Sequence, residues 1–357
     1  MFKKRVIGLM SGTSLDGLDI CYVQFEKDQK WTFSNIIAET IPYSSEWGEK
    51  LGTAIELSRS DLNILNQEFG QYLANKTTEF MAKHNLQGQV DLIASHGHTI
   101  HHQPQAGITV QIGDGQIIAN QTGLPVIFDF RTADVALGGQ GAPLVPMGDE
   151  HLFNDYDACL NLGGIANISM NRNGERIAFD ITACNLPLNS LTRNELNIEY
   201  DANGQIAASG QIIEELLLKL NELSYYNLQH PKSLGVEWLN EIFYPILKNF
   251  HSFPLADRLA TIIAHETDQI ARIFADHQIK NVLVTGGGAF NSYFIQRLQH
   301  KTDTEITLPS PLIIDFKEAL IFGFLGVLHS RNEINTLRSV TGASRNSIGG
   351  RRVEPRQ

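Results

Sequence analysis

The sequence predicts an α/β protein of two lobes, each opening on strands that meet at a glycine turn and closing on helices. Three observations carry this expectation. Residues 8–20 (GLMSGTSLDGLDI) set a turn rich in Gly, Ser and Thr between an apolar run (Val6, Ile7) and an alternating one (Leu18, Ile20, Tyr22, Val23, Phe25), the pattern of a β-hairpin. The same build recurs about half a chain later: Ala158–Leu162 runs into Gly163-Gly164 and returns as Ile165–Met170, and Asn171-Arg172-Asn173-Gly174 then turns into Ile177-Ala178-Phe179. A third glycine turn, Gly286-Gly287-Gly288, ends the apolar run Asn281–Thr285 ahead of a helix expected from about Asn291.

Between the hairpins, Leu62, Leu65, Phe69, Leu73 and Phe80 give Asp61–Lys83 a helical period. Val90–Ala94 and Thr109–Ile112 read as strands, and Gly115–Thr122 as a short helix. The 130–150 region, rich in Gly and Pro, is expected to join the lobes. That places an N-terminal lobe at 1–130 and a C-terminal lobe at 131–357, whose last residues could return to the first. Gln205–Leu223, Val236–Lys248, Pro254–Gln278 and Phe316–Ser330 read as helices, the last containing Gly323 and Gly326.

At 357 residues the chain can bury a large core, with length for two or three domains. A formal net charge of −11 argues against a nucleic acid or an anionic membrane as the main partner and fits an enzyme of small molecules. Cys21, Cys159 and Cys184 have no metal-ligand spacing and read as reduced thiols. No signal peptide and no bilayer-spanning apolar stretch is expected, so the expected location is the cytoplasm.

The turns carry the chemistry. Bare backbone N–H groups and hydroxyls suit phosphate, and a nearby carboxylate can hold Mg²⁺. Residues 8–17 are neither a Walker A loop, since no Gly-Lys-Ser/Thr follows, nor a GxGxxG fingerprint opening a helix. Two opposed hairpins can cradle a polyphosphate, while a strand–Gly-Gly-Gly–helix lets an adenosine lie against bare backbone. The candidate nucleotide set is therefore Gly12, Thr13, Ser14, Asp16, Gly17 and Asp19 in the first hairpin, Gly163, Gly164 and Asn167 in the second, and Gly286, Gly287 and Gly288 in the third turn. Asp16 and Asp19 are the candidate Mg²⁺ ligands, directly or through water; capping of the turn is the alternative for each. Together the turns favour an actin/hexokinase-like (ribonuclease H-like) fold with ATP in an interlobe cleft.

Residues 8–20, Asp129-Phe130-Arg131, Ala136–Pro146 (ALGGQGAPLVP), Asn161–Ser169 and Ser339–Ser344 (SVTGAS) resemble, in order and across nearly the whole chain, the anhydro-N-acetylmuramic acid kinase family of the sugar-kinase/hsp70/actin superfamily. The resemblance implies ATP-dependent phosphorylation of 1,6-anhydro-N-acetylmuramic acid with opening of the anhydro ring by water. The implied product is N-acetylmuramic acid 6-phosphate, the context peptidoglycan recycling, and the assembly a homodimer.

Ring opening needs a base to activate water at the anomeric carbon. Asp180 matches the family's catalytic aspartate, and capping of the helix near Asn185 is the competing role. The family pattern Asp-Thr-Gly-Pro-Gly-Asn is here Asp180-Ile181-Thr182-Ala183-Cys184-Asn185, with Asn189 where a further aspartate falls. Ile181 and Cys184 are expected to give a stiffer, bulkier wall beside the sugar.

His96, His98, His101 and His102 raise a metal site as one reading, with sugar contact by His96 and simple packing as the others. The family has His-Gly-Gln-Thr here, so His98 stands in place of the glutamine. Arg131 and Gln140 are long donors able to reach sugar oxygens, phosphate or the lactyl carboxylate. Asn185 is a further sugar-binding candidate. Glu318, expected to open the last long helix, matches a family glutamate and reads equally as substrate contact or solvated helix start. Lys232, Ser233, Gly235 and Glu237 match a shorter family segment, with Val236 in place of its arginine. The alternatives are a kinase of this fold acting on another amino sugar, or an ATP- or sugar-binding sensor with impaired catalysis.

Overall fold

A computed structural model describes residues 2–356. The chain forms two compact units, Met1–Leu152 with Phe316–Gln357, and Phe153–Asp315. The division falls at 152, not at the expected 130, because the Gly- and Pro-rich region folds into unit 1. There Asp134, fully buried, accepts from Gly141 N at 2.8 Å and from Thr341 Oγ1 at 2.8 Å.

Unit 1 begins with the hairpin β1 (Phe2–Ser11) and β2 (Gly17–Lys27), extended antiparallel by β3 (Trp31–Pro42). The helix Arg59–Lys83 follows, then β4 (Leu92–Gln103), β5 (Ile108–Ile112) and β6 (Val126–Phe128). β4 runs parallel to β1, and β6 parallel to β4. β5 pairs antiparallel with the far end of β4.

Unit 2 repeats the plan. β7 (Ala158–Leu162), β8 (Ile165–Arg172) and β9 (Glu175–Ala183) form an antiparallel meander; β10 (Asn281–Thr285) lies parallel to β7 and β11 (Glu305–Thr307) parallel to β10. The strand order β11-β10-β7-β8-β9 matches β6-β4-β1-β2-β3 strand for strand and sense for sense. Two copies of this mixed sheet are the ribonuclease H-like plan of the actin/hexokinase-like architecture. The chain ends in unit 1 with β12 (Arg351–Val353), antiparallel to β6.

Burial explains the layers. β1 and β2 are buried almost throughout, as strands covered on both faces must be. In unit 1 the long helix Pro311–Ser330 closes on the sheet through small residues: a Cβ at Gly8 would strike the Ala319 carbonyl, and one at Gly326 would stand 2.6 Å from Ala94 Cβ. In unit 2 the helix Leu255–His277 buries Leu259, Ile262, Ile263, Ile270 and Phe274 in the core with Leu160, Ile168 and Phe179. Each such side chain contributes about 1.5–3 kcal/mol.

Two helices depart from expectation. Gln205–Leu223 is broken into Gln205–Ala208 and Glu214–Asn221, because Gly210 packs against the Ala256 carbonyl and the next N–H groups turn to side chains, Gln211 N to Asp257 Oδ1 (2.8 Å) and Ile213 N to Thr261 Oγ1 (2.9 Å). Val236–Lys248 contains a π turn at Leu239–Phe243. Pro245 follows directly and has no N–H for the regular ladder.

Candidate active site

In unit 1 the turn at 12–16 sits at the tip of the β1–β2 hairpin. Thr13, Ser14 and Asp16 are exposed, and the turn is closed by Leu15 N donating to Gly12 O (3.3 Å) and Ser14 Oγ donating to Asp16 Oδ1 (2.7 Å). Gly17 is required by crowding, since a Cβ would lie 2.6 Å from Ile41 O. Asp19, on β2, accepts from Thr40 Oγ1 at 2.6 Å.

Behind the turn runs a chain that the sequence did not single out. Tyr43 donates to Ser11 Oγ (2.6 Å), which leaves the Ser11 hydroxyl to donate to His98 Nδ1 (2.8 Å). Burial pushes His98 down to about 4, so its ring is neutral with the proton on Nε2. His98 therefore braces the end of β1. Among the described residues no three His, Cys, Asp or Glu side chains gather as a metal site, so the histidine run is resolved into separate roles.

His96 has a different partner. Its Nδ1–H donates to Gly97 O (2.9 Å), and its Nε2 accepts from Arg131 Nε at 3.0 Å. Burial, and then the Arg131 charge, hold His96 well below its ordinary value, consistent with that neutral tautomer. Arg131 also donates Nη1 to Gly141 O (2.7 Å), which orients the guanidinium and leaves Nη2 for a ligand. Burial lowers Arg131, and the Glu318 charge opposes that shift. Glu318 lies inside the helix Pro311–Ser330, not at its start, because the helix begins seven residues before it at Pro311. Glu318 has exposed surface, yet burial of its carboxyl among neighbouring side chains pushes it above the ordinary glutamate value, with Arg131 opposing the rise and Asp19 adding to it. Gln140 is exposed, with its N–H fixed on Thr341 O at 2.8 Å.

In unit 2 the second and third glycine turns meet. β10 is in register with β7 up to Thr285 beside Asn161. Gly286 has φ 84°, and a Cβ there would lie 2.8 Å from Leu162 C; one at Gly288 would lie 2.8 Å from Leu162 Cβ. Only glycine lets this strand end close on the other. Asn291 then caps the helix Ser292–Lys301, its Oδ1 accepting from Phe294 N at 3.0 Å.

Asn185 was expected at the sugar, but its amide donates to Leu162 O and Gly163 O, both at 2.8 Å. Cys184 N, Asn185 N and Leu186 N donate to carbonyls of the same turn, so this segment is the clamp that shapes Gly163-Gly164. Ile181 and Cys184 were expected as a wall beside the sugar. Both are buried in the unit 2 core, where hydrophobic burial directs them.

Asp180 lies within β9, which continues to Ala183. It faces Asn167 on β8, and the register shift that follows leaves Ile181 as the extra residue of a bulge. Bulges re-aim side chains and concentrate beside active sites. The backbone is pinned by Asp180 N donating to Lys232 O (3.2 Å) and Tyr225 OH donating to Asp180 O (2.8 Å). Oδ2 accepts from Leu234 N at 2.8 Å, which leaves Oδ1 for water. Burial raises Asp180 above 3.8, opposed by the Leu234 N–H and by Lys232. Helix capping is ruled out by these partners: the helix Asn185–Leu196 starts at Cys184 with no side-chain cap. Tyr225 and Leu234 were not singled out in the sequence; their one signal was the Lys232-Ser233 segment beside them.

The family model for anhydro-N-acetylmuramic acid kinase matches residues 4–354. Curated relatives of that description include one from Shewanella sp. (strain ANA-3), 37% identical over 98% of this chain and 99% of its own. Others are from Shewanella oneidensis, 36% identical with 98% and 99% covered, and Bacillus thuringiensis subsp. konkukian, 32% identical with 97% and 98% covered.

Proposed function

This chain belongs to the anhydro-N-acetylmuramic acid kinase family, and on that premise we propose that it phosphorylates 1,6-anhydro-N-acetylmuramic acid at O6 from ATP while water opens the anhydro bridge. The observation that carries the reading is Asp180: a carboxylate pinned through its backbone and Oδ2, with Oδ1 left to accept a proton.

Asp180 takes a proton from water as the water oxygen bonds to the anomeric carbon. The bond from that carbon to the bridging oxygen breaks, and the released O6 takes the γ-phosphoryl group as ADP leaves. Phosphoryl transfer asks the protein for positioning and charge cancellation. The turn 12–17 with Gly163, Gly164 and Asn167 is proposed to hold the phosphates, and Gly286–Gly288 to lie against the adenosine. Asp16 and Asp19, oxygen donors at and beside an exposed turn, fit Mg²⁺, which takes one or two carboxylates and keeps several waters. The ion would supply charge neutralisation on the phosphate oxygens when bound. Arg131, through Nη2, suits the lactyl carboxylate, with His96 fixing the guanidinium and Gln140 and Glu318 as neighbouring sugar contacts. Asn185 acts here by holding the second turn.

We read the setting as peptidoglycan recycling in the cytoplasm by a homodimer, with ATP and an amino sugar as partners and neither nucleic acid nor membrane. Supporting this are the family membership, three buried cysteines outside any disulfide, and the net charge of −11. The test is turnover of anhydro-N-acetylmuramic acid in isotopically labelled water. One labelled oxygen at the anomeric carbon of a 6-phosphate is expected; an unlabelled or ring-closed product would overturn the mechanism. An Asp180→Asn variant should still bind nucleotide while losing about 10²–10⁴-fold in turnover.

A further inference from the structure

Unit 2 contains a cavity of about 320 Å³ beside β9, lined by Arg172, Phe179, Ile181, Lys232, Arg272 and Asp276 among others. β9 is the edge strand of its sheet, and Lys232 covers that edge by accepting from Asp180 N. Phe179 and Ile181 turn toward the cavity, while Asp180 between them is not part of its wall. The cavity is thus separate from the carboxylate assigned to the reaction.

Its charge is unusual for this chain. Three cationic side chains, Arg172, Lys232 and Arg272, share the wall with one carboxylate, Asp276, in a protein of net charge −11. That charge is only partly neutralised. Asp276 pairs with Arg272 at 3.7 Å, both side chains being about half exposed. Arg172 donates to the neutral ring of His277 at 2.6 Å. Lys232 feels the charge of Asp180, but its ammonium rests over the rings of Tyr225 (4.6 Å) and Phe179 (5.9 Å). Burial and then the neighbouring Arg272 charge lower Lys232, and the Asp180 charge opposes them without reversing the shift. Arginine forks suit phosphate oxygens bidentately, and a lysine adds a point charge. The apolar side, Phe179, Ile181 and Ile273, gives room for a carbon body of sugar size.

We propose that this cavity is a binding site for a small phosphate-bearing anion, of the sugar-phosphate class, distinct from the nucleotide and sugar residues of the kinase reaction. Residues 232–234 line or border it and also hold Asp180, so a ligand there touches the segment that positions the base.

Calorimetric titration of the full chain with ribose 5-phosphate, with inorganic phosphate and with ribose, each with and without saturating ADP, tests the proposal. Ribose 5-phosphate is expected to bind in the presence of ADP, to weaken with added salt, and to lose about tenfold or more in affinity in Arg272→Ala, with a further loss in Arg172→Ala/Arg272→Ala. Asp276→Asn should tighten it. Binding abolished by ADP yet unchanged in Arg272→Ala would place the probe at the nucleotide residues and overturn the proposal. So would equal binding of ribose, or no binding at millimolar concentration. The altered side chains are exposed, and an unchanged melting temperature shows that the variants fold. No turnover is needed, so the result stands apart from the kinase reading.

Discussion

Asp134 is the buried post on which the loop carrying Arg131 and Gln140 is hung, and its removal should be felt in stability and in sugar binding together. The carboxylate is fully buried and accepts from Gly141 N and Thr341 Oγ1, both at 2.8 Å. Holding those two donors in turn fixes Gly141 O for Arg131 Nη1 (2.7 Å) and Thr341 O for Gln140 N (2.8 Å). A hydrogen bond to a charged group contributes about 1.5–3 kcal/mol, and an orphaned buried donor costs about 1–3 kcal/mol. In Asp134→Ala the Gly141 N–H loses its acceptor, whereas the Thr341 hydroxyl keeps Leu337 O at 3.3 Å. One full loss and one partial loss amount to about 3 kcal/mol. Thr341→Val keeps the shape and orphans one carboxylate oxygen, for about 2 kcal/mol. The double variant should be milder than the sum by about 1–2 kcal/mol, since both changes remove one shared bond.

Urea denaturation of the three variants measures these values, and steady-state kinetics supply the functional half. The sugar KM should rise about tenfold in Thr341→Val, with the ATP KM little changed. Strictly additive stability losses would refute the shared bond. A stability loss of the stated size with an unchanged sugar KM would refute the link from Asp134 to Arg131 and Gln140.

Four further outcomes are expected. Asp180 titrates above 3.8, and a base works only when deprotonated, so turnover should fall as pH drops through that raised value; a pH–rate profile with no acid limb above 3.8 contradicts this. His98, 3% exposed and pushed to about 4, is protonated in the unfolded chain below about 6.5, so stability should be lost as pH falls from 6.5 toward 4, by roughly 3 kcal/mol. Denaturation of His98→Gln at neutral and acid pH should show that pH dependence reduced. Gly8→Ala should destabilise by about 1–3 kcal/mol through its clash with the Ala319 carbonyl, whereas Gly323→Ala, with its nearest neighbours at 3.6–3.7 Å, should be neutral or stabilising in thermal melts. Arg131→Lys cannot keep both His96 and Gly141 and still present a second nitrogen, so the sugar KM should rise about tenfold while thermal stability changes little.

Local patterning made the sheets legible. Alternation around residues 6–25 and 158–179 and glycines at their turns located both hairpins, and heptad-like spacing located the long helices. The sequence period says nothing about which strands become neighbours, so the shared order of the two sheets had to be seen. At the site, residue type singled out Asp180 and Arg131 as candidates, because carboxylate and guanidinium chemistry is specific. The hydrogen bonds of Asn185 to the second turn were not legible, because an amide serves a backbone turn as readily as a sugar hydroxyl. Nor was the burial of Ile181 and Cys184, because sequence does not tell which way side chains point at a bulge. The bonds of Asp134 to Thr341 and of Tyr225 to Asp180, and the closing of the cavity beside β9 by the 226–232 and 269–277 segments, join residues 37 or more positions apart, and no local window contains them.

Unit 1 is written in two separated pieces of the chain, with all of unit 2 between them. During synthesis, β1 and β4 emerge long before the helix Pro311–Ser330 that covers Gly8 and Ala94. At about 5–20 residues per second the wait is on the order of 10–40 s. Unit 2, continuous in sequence, can complete itself during that interval, while the first 152 residues hold an uncovered apolar sheet face. A nascent chain that has released residues only as far as 315 would therefore pair a finished second unit with an unfinished first one, and chaperone binding should fall on the N-terminal piece.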